Sequence, residues 1–320
     1  MPLPISVTRR VAAVALVTAA ALALAGCATP TSASPGTHAT AHSTVVDTLY
    51  GKVTVPANPK RIVALDFPEA TALADLGIKP VGIGSYIPAL PAYTTFFKGV
   101  PNVTDSAGDP ALEKIAAQKP DLILDDEFTT DVAKNKARYE QLSAIAPTVV
   151  LTWTEAAGSW QEDAAGTAQA VGKVAQMNTL TKQYEAKAAG IKKTYASVLS
   201  SHTVDLVSGD ADSWYLYGAS SSHGKVLAAA GAHFAAAAGQ KDSFVQYSPE
   251  RYGLLSHSDL LLVEATSGIT AKSVMSDPVF ASLPTAKNGD VFTTPYFFPS
   301  SYRMADALLD DFARALKKVK

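Results

Sequence analysis

From residue 45 onward, the apolar and polar positions run through one series twice. The first series opens on the β-branched run Arg61-Ile62-Val63-Ala64-Leu65 and passes through a helical stretch to Leu76-Gly77-Ile78. Asp109-Pro110-Ala111-Leu112-Glu113 then precedes Pro120-Asp121-Leu122-Ile123-Leu124. The second series opens on Thr203-Val204-Asp205-Leu206-Val207, and its helical stretch ends at Ala230-Gly231-Ala232. Tyr247-Ser248-Pro249-Glu250 then precedes Ser258-Asp259-Leu260-Leu261-Leu262-Val263. In each half an Asp opens a short apolar strand, and a short helix is predicted between the glutamate and that strand. Strands alternating with helices predict mostly parallel sheets covered on both faces, and the repetition predicts two similar lobes. Between the halves, Val174, Met177, Leu180, Tyr184, Ala188, Ile191, Tyr195 and Val198 recur every three or four residues, as on one face of a helix. A continuous helix from Val174 to Leu199 would be about 39 Å long and would join the lobes as a stiff spacer.

The N-terminus shows another pattern. Arg9 and Arg10 precede an apolar run, Val11 to Ala25, broken only by Thr18. As a helix it would span about 22 Å, short of a hydrocarbon core of about 30 Å. A positive start, a short apolar middle and small residues at the end predict an export signal over residues 1–26. The run closes on Leu24-Ala25-Gly26-Cys27, which resembles the bacterial lipobox, and the resemblance implies lipidation of Cys27. Residues 27–44 are rich in Ser, Thr, Ala and Pro, and read as a flexible tether. The remaining divisions are an N-terminal lobe over 45–172, an interlobe helix over 173–200 and a C-terminal lobe over 201–320. Signal, lipid and tether together place a folded body on the outer face of a cell membrane.

Composition narrows the function. Of 320 residues 48% are hydrophobic, ample for a core. The 27 basic and 29 acidic side chains leave a net charge of −2, with no basic excess for nucleic acid. With Cys27 alone, an intramolecular disulfide or a Cys-based zinc site is excluded. The histidines do not converge into a metal-ligand pattern, and of them only His223 falls in a predicted cleft loop. Asp125-Asp126-Glu127 would suit the acid–base chemistry of an exported hydrolase, but no Gly-x-Ser-x-Gly elbow or His-Glu-x-x-His helix accompanies it. No catalytic residue is assigned, and the chain reads as a binding protein.

The body resembles the bacterial substrate-binding proteins for iron-siderophores, cobalamin and haem that feed ABC importers. The resemblance is carried by Arg61 to Leu65 through Leu76-Gly-Ile-Lys-Pro-Val-Gly82, by Asp109-Pro-Ala-Leu-Glu-Lys-Ile115 through Lys119-Pro-Asp-Leu-Ile-Leu124, by Leu142-Ser-Ala-Ile-Ala-Pro-Thr148, and by Asp277-Pro-Val-Phe through Leu283 to Phe292. It implies two Rossmann-like α/β lobes joined by a single long α-helix, with ligand held in the cleft between them. It also implies a monomer that binds a preformed ferric siderophore, without a cofactor, and hands it to ABC permease and ATPase subunits. Glu113 and Glu250 match the family's two permease-docking glutamates. Haem, with His223 or a tyrosine as axial ligand, and cobalamin are the alternatives.

Ligands of open α/β sheets bind beyond the carboxyl ends of the strands. The candidates there are Asp66, Phe67, Tyr86, Tyr93, Asp125 to Phe128 and Trp153 in the first half. In the second half they are Trp214, Tyr215, Tyr217, His223, Tyr296, Phe297, Phe298, Tyr302 and Arg303. The list is rich in rings, which suit a large, partly apolar chelate. After Cys27 the arginines are Arg61, Arg138, Arg251, Arg303 and Arg314, of which only Arg303 is expected to face the cleft. A tris-catecholate complex carries three negative charges and calls for clustered basic side chains. A hydroxamate complex, near neutral or cationic, does not, so the hydroxamate type is favoured. Hydroxamate binders of the family can carry an arginine shortly before the proline matching Pro110, where this chain has Ser106-Ala107-Gly108-Asp109.

Overall fold

The computed structural model describes residues 43–128, 131–133, 135–152, 160–210, 212–265 and 269–319. The chain enters through an antiparallel hairpin, β1 (Ser43–Thr48) and β2 (Gly51–Pro56). The hairpin was not foreseen, and it takes the last two residues of the expected tether, Ser43 and Thr44, into a strand. The first lobe comes next: β3 (Ile62–Ala64), α1 (Phe67–Asp75), β4 (Gly82–Ile83), α2 (Pro91–Phe96), α3 (Leu112–Ala117), β5 (Leu122–Glu127), α4 (Lys136–Ser143), β6 (Thr148–Thr152) and α5 (Trp160–Ala170). Its four-stranded sheet, in the order β4-β3-β5-β6, is parallel throughout. All six residues of β5 are buried, as a strand covered on both faces requires.

Two helices lead out of this lobe, α6 (Val174–Thr194) and α7 (Ala196–Ser201). The expected single helix is therefore broken at Tyr195, and its long segment spans about 32 Å. Met177, Tyr184, Ala188 and Ile191 are its buried positions, on the stripe predicted from their spacing. The second lobe comprises β7 (Val204–Gly209), β8 (Trp214–Tyr217), α8 (Ser222–Ala229), β9 (Phe244–Tyr247), a 3-10 helix over Pro249–His257, β10 (Leu260–Glu264), α9 (Ile269–Ser276), α10 (Pro278–Ser282), α11 (Pro284–Asn288), β11 (Val291–Thr294) and α12 (Tyr302–Leu316). Its sheet order is β11-β10-β7-β8-β9. The first three strands run parallel, while β8 and β9 form an antiparallel extension, so parallel pairing dominates the molecule without being complete.

The repeat seen in the sequence is a repeated hydrogen-bond clamp. Asp121, just before β5, accepts from Lys60 N and Arg61 N at 2.8 Å each, fixing the entry to the neighbouring β3. Asp259, just before β10, accepts from Thr203 N and Thr203 Oγ1 at 2.8 Å each, fixing the entry to β7. Each carboxylate thus sets the register of a central parallel pair. The helices that carry the two glutamates differ in kind, since α3 is an α-helix and Pro249–His257 a 3-10 helix.

A second seam joins the lobes at the start of α12. Thr71 Oγ1 donates to Ser300 O at 3.1 Å, Tyr93 OH and Ser301 Oγ lie 2.6 Å apart, and Arg303 N donates to Asp75 Oδ2 at 3.3 Å. Trp160 of α5, Tyr184 of α6 and Tyr302 of α12 meet edge to face at 4.8–5.8 Å, locking three helices at one point.

Candidate ligand cleft

Between the lobes lies a cavity of about 650 Å³. Asp66 and Phe67 enter it from the start of α1, and Phe128 from the end of β5. Tyr86 and the segment Pro88-Ala89-Leu90 close it on the N-lobe side, while Pro295, Phe298 and Met304 form the opposite wall. Asp66 caps α1: its extended backbone turns the chain, and its Oδ1 accepts from Phe67 N at 2.7 Å. Phe67 and Phe128 stack with ring centroids 6.2 Å apart. Tyr86, 63% exposed, lies over Gly108. Gly108 has a φ of 92°, and a Cβ there would meet the Tyr86 hydroxyl at 2.6 Å. The stretch Ser106 to Asp109 is thus a turn that makes room for a cavity-lining ring. Asp105 Oδ1 holds the turn by accepting from Ala107 N at 2.8 Å and Asp109 N at 3.0 Å.

Behind the N-lobe wall the side chains are acids. Arg138 grips Asp125 through both carboxylate oxygens at 2.6 and 2.7 Å. Asp126 Oδ1 accepts from Glu127 N at 2.7 Å, and Asn135 Nδ2 donates to Glu127. Glu69 of α1 is fully buried, and among the described residues neither of its carboxyl oxygens has a hydrogen bond. Burial above all, then the neighbouring Asp126 and Asp163, holds its carboxyl well above the usual range. Burial, then Asp126, pushes Asp163 of α5 up to about 8. The local cause is visible in β5, whose Leu-Ile-Leu run continues directly into Asp-Asp-Glu while still inside the sheet.

Behind the C-lobe wall the side chains are rings. His223 of α8 is 1% exposed and lies 4.3 Å from Phe297, 4.5 Å from Tyr217 and 5.3 Å from Phe298 by ring centroids. Among the described residues its Nε2 has no hydrogen-bond partner, and burial pulls its pKa down to about 3. Tyr217 OH meets Ser208 Oγ at 3.0 Å.

The sequence candidates therefore separate. Phe67 and Tyr86 line the cavity, as do Asp66, Phe128 and Phe298. Phe297 is fully buried, while Tyr217, His223 and Phe297 support Phe298 from behind. Tyr93 is buried in the interlobe seam. Tyr215 packs on Phe244 at 5.7 Å, and Tyr296 is half-buried against the core; neither lines the cavity. Trp214 is a correction. It is fully buried under the C-lobe sheet, 4.9 Å from the Tyr252 ring, and donates Nε1 to Ser248 O at 2.9 Å. Arg303 is a second correction: its guanidinium faces Asp75 and Ala74 O along the seam, outside this cavity. Trp153 and Cys27 lie outside the described residues. Pro88, Ala89, Leu90, Pro295 and Met304 were missed. Only the closely spaced Pro88 and Pro91 hinted at a structured loop.

Glu113 and Glu250 are both exposed, one on each lobe. A hydrogen bond from Ser248 holds the Glu250 carboxyl below its usual range. Neighbouring Arg251 turns instead to Tyr247, with its guanidinium 5.6 Å from the ring centroid. Among the described residues no group of three or more His, Cys, Asp or Glu side chains is arranged to hold a metal ion. Among those residues no helix is long and apolar enough to cross a membrane.

Two α/β lobes, a helical connection and a ring-lined cleft define a solute-binding protein. The family model described as "Periplasmic binding protein" matches residues 63–296, and the chain belongs to that family. The Fe(3+)-citrate-binding protein of Bacillus subtilis is 29% identical over 78% of this chain and 78% of its own length. A putative ABC transporter substrate-binding lipoprotein of Bacillus subtilis is 35% identical over 48% of this chain and 47% of its own length, so that match spans about half of that relative. Among solved structures, the siderophore periplasmic binding protein from the fuscachelin gene cluster of Thermobifida fusca superposes with a TM-score of 0.73 at 25% identity. It covers 82% of this chain and 98% of its own.

Proposed function

We propose that the protein captures a preformed ferric siderophore of the hydroxamate type in the interlobe cavity and delivers it to an ABC permease. The observation that carries this reading is a cavity of about 650 Å³ walled by Phe67, Tyr86, Phe128 and Phe298, with no basic side chain on its lining among the described residues. That volume suits a wrapped chelate, and ring faces grip its organic shell. A tris-catecholate complex would bring three negative charges against Asp66 with no cation on the lining to meet them. The siderophore fills the coordination sphere of the ion, so the protein supplies binding without turnover. His223, packed among rings, offers no open face to the iron of a haem. In this reading residues 1–26 direct export, Cys27 carries the lipid that holds the body at the outer face of the cell membrane, and residues 27–42 are the tether. Glu113 and Glu250 are the contacts with the permease.

A tryptophan-fluorescence titration of the purified protein tests the ligand class. Ferric hydroxamate is expected to quench and saturate at one equivalent, ahead of ferric catecholate, haem and cobalamin. A preference for the catecholate removes the charge argument, and no response to any of the four removes the cleft assignment.

A further inference from the structure

We infer that the cavity selects its chelate by charge and that Asp66 is the residue that reads it, favouring a positively charged ferric hydroxamate over a neutral one with the same iron-binding atoms. The inference rests on the hydroxamate reading and adds a selection rule to it. Among the described residues, Asp66 is the one charged side chain on the lining. Its Oδ1 is held by Phe67 N, and its Oδ2 makes no hydrogen bond among the described residues. The stacked pair Phe67 and Phe128 stands beside it, and ring faces attract cations.

The surroundings do not cancel this charge. Burial favours the neutral form of Glu69 and Asp163, which leaves Asp66 as the charged group at the lining, and Asp125, Asp126 and Glu127 belong to the adjoining strand end. The basic group set against these acids is Arg138, and both of its contacts are spent on Asp125. The facing wall of Pro295, Phe298 and Met304 brings no cation, and Arg303 is turned to Asp75. A carboxylate at the edge of an apolar cavity acts through a lower dielectric than bulk water, where its field is stronger.

The test compares two probes. One is a linear ferric trihydroxamate ending in a free primary amine; the other is the same chelate with that amine acetylated. The purified protein is expected to bind the ammonium form about tenfold more tightly at low salt, with the gap narrowing as salt rises. In Asp66→Asn, which retains a good helix cap, the gap is expected to fall below about twofold. Equal affinity of the unaltered protein for both probes overturns the charge rule and leaves the hydroxamate reading standing. An undiminished gap in Asp66→Asn removes Asp66 from the role. Binding of neither probe overturns the rule together with the ligand class. The salt dependence in the unaltered protein decides the question even if the variant does not fold.

Discussion

On the N-lobe wall of the cleft the groups behind the lining are acids, and on the C-lobe wall they are rings around one imidazole. Both walls bury titratable groups without full hydrogen bonding among the described residues. Burial opposes charge of either sign, so the two walls titrate in opposite senses. Asp163 has a folded pKa of about 8 against an ordinary value of 3.8. The folded state keeps a proton that the unfolded chain gives up, so this group costs stability as pH rises from about 4 to about 8. His223 has a folded pKa of about 3 against an ordinary 6.5. There the unfolded chain takes up the proton first, so stability is lost as pH falls from about 6.5 to about 3. Two walls of one cleft thus press on the stability curve from opposite ends. The lesson is that the character of each wall follows from the residues its elements carry, acids on β5, α1 and α5 on one side and rings with one imidazole on β8, α8 and the loop after β11 on the other.

The largest expected effect extends the comparison to the outer faces of the lobes. Glu113→Ala combined with Glu250→Ala should abolish cellular uptake of a labelled ferric hydroxamate while leaving its affinity unchanged, and uptake at the parent rate would refute the docking role. Within the C-lobe, Trp214→Ala should lower unfolding free energy by about 3–5 kcal/mol in urea titration, as truncation of a fully buried ring does. Tyr86→Ala, on an exposed ring of the other lobe, should change stability by less than about 0.5 kcal/mol yet weaken chelate binding about tenfold. A reversal of that pair would show the lining to be assigned to the wrong rings.

The opposed titrations sharpen the comparison further. Asp163→Asn should raise the urea midpoint at pH 8 relative to the parent and flatten the slope between pH 4 and 8. His223→Phe should instead flatten the limb below pH 6.5. Parallel behaviour of the two variants would mean that the walls do not differ in sign. The smallest effect is expected at the seam. Tyr93→Phe removes the bond to Ser301 and should cost about 1 kcal/mol, read from the same urea titrations.

Much of the fold was legible because its signals are local. Asp121 and Asp259 stand immediately before apolar strands, and each makes the same clamp to the neighbouring strand. The stripe from Met177 to Ile191 keeps the helical period and is buried where that period places it. The break at Tyr195 was not legible, because that position continues the same apolar stripe. The cleft was read less well. Trp214 and Tyr215 are adjacent, but strand alternation turns them to opposite faces. Trp214 and Leu216 go to the core with Tyr252, while Tyr215 and Tyr217 face the other side. Position after a strand said where a residue lies, not which way it points. Arg303 comes after β11 at the right distance for the cleft, yet the Ser300–Ser301 seam aims it at Asp75.

What the sequence determined by itself was the series of elements, their repetition, the central helical stripe and a chain of nearly balanced charge. Short-range periodicity and capping set all of these, and neighbours along the chain suffice to read them. The tertiary structure alone decided which rings line the cleft and what charge stands there. Asp66 and Glu69 at the start of α1, Asp126 of β5 and Asp163 of α5 come from three separate stretches of the chain, and they meet only after β5 is seated between β3 and β6 and α5 is packed on α1.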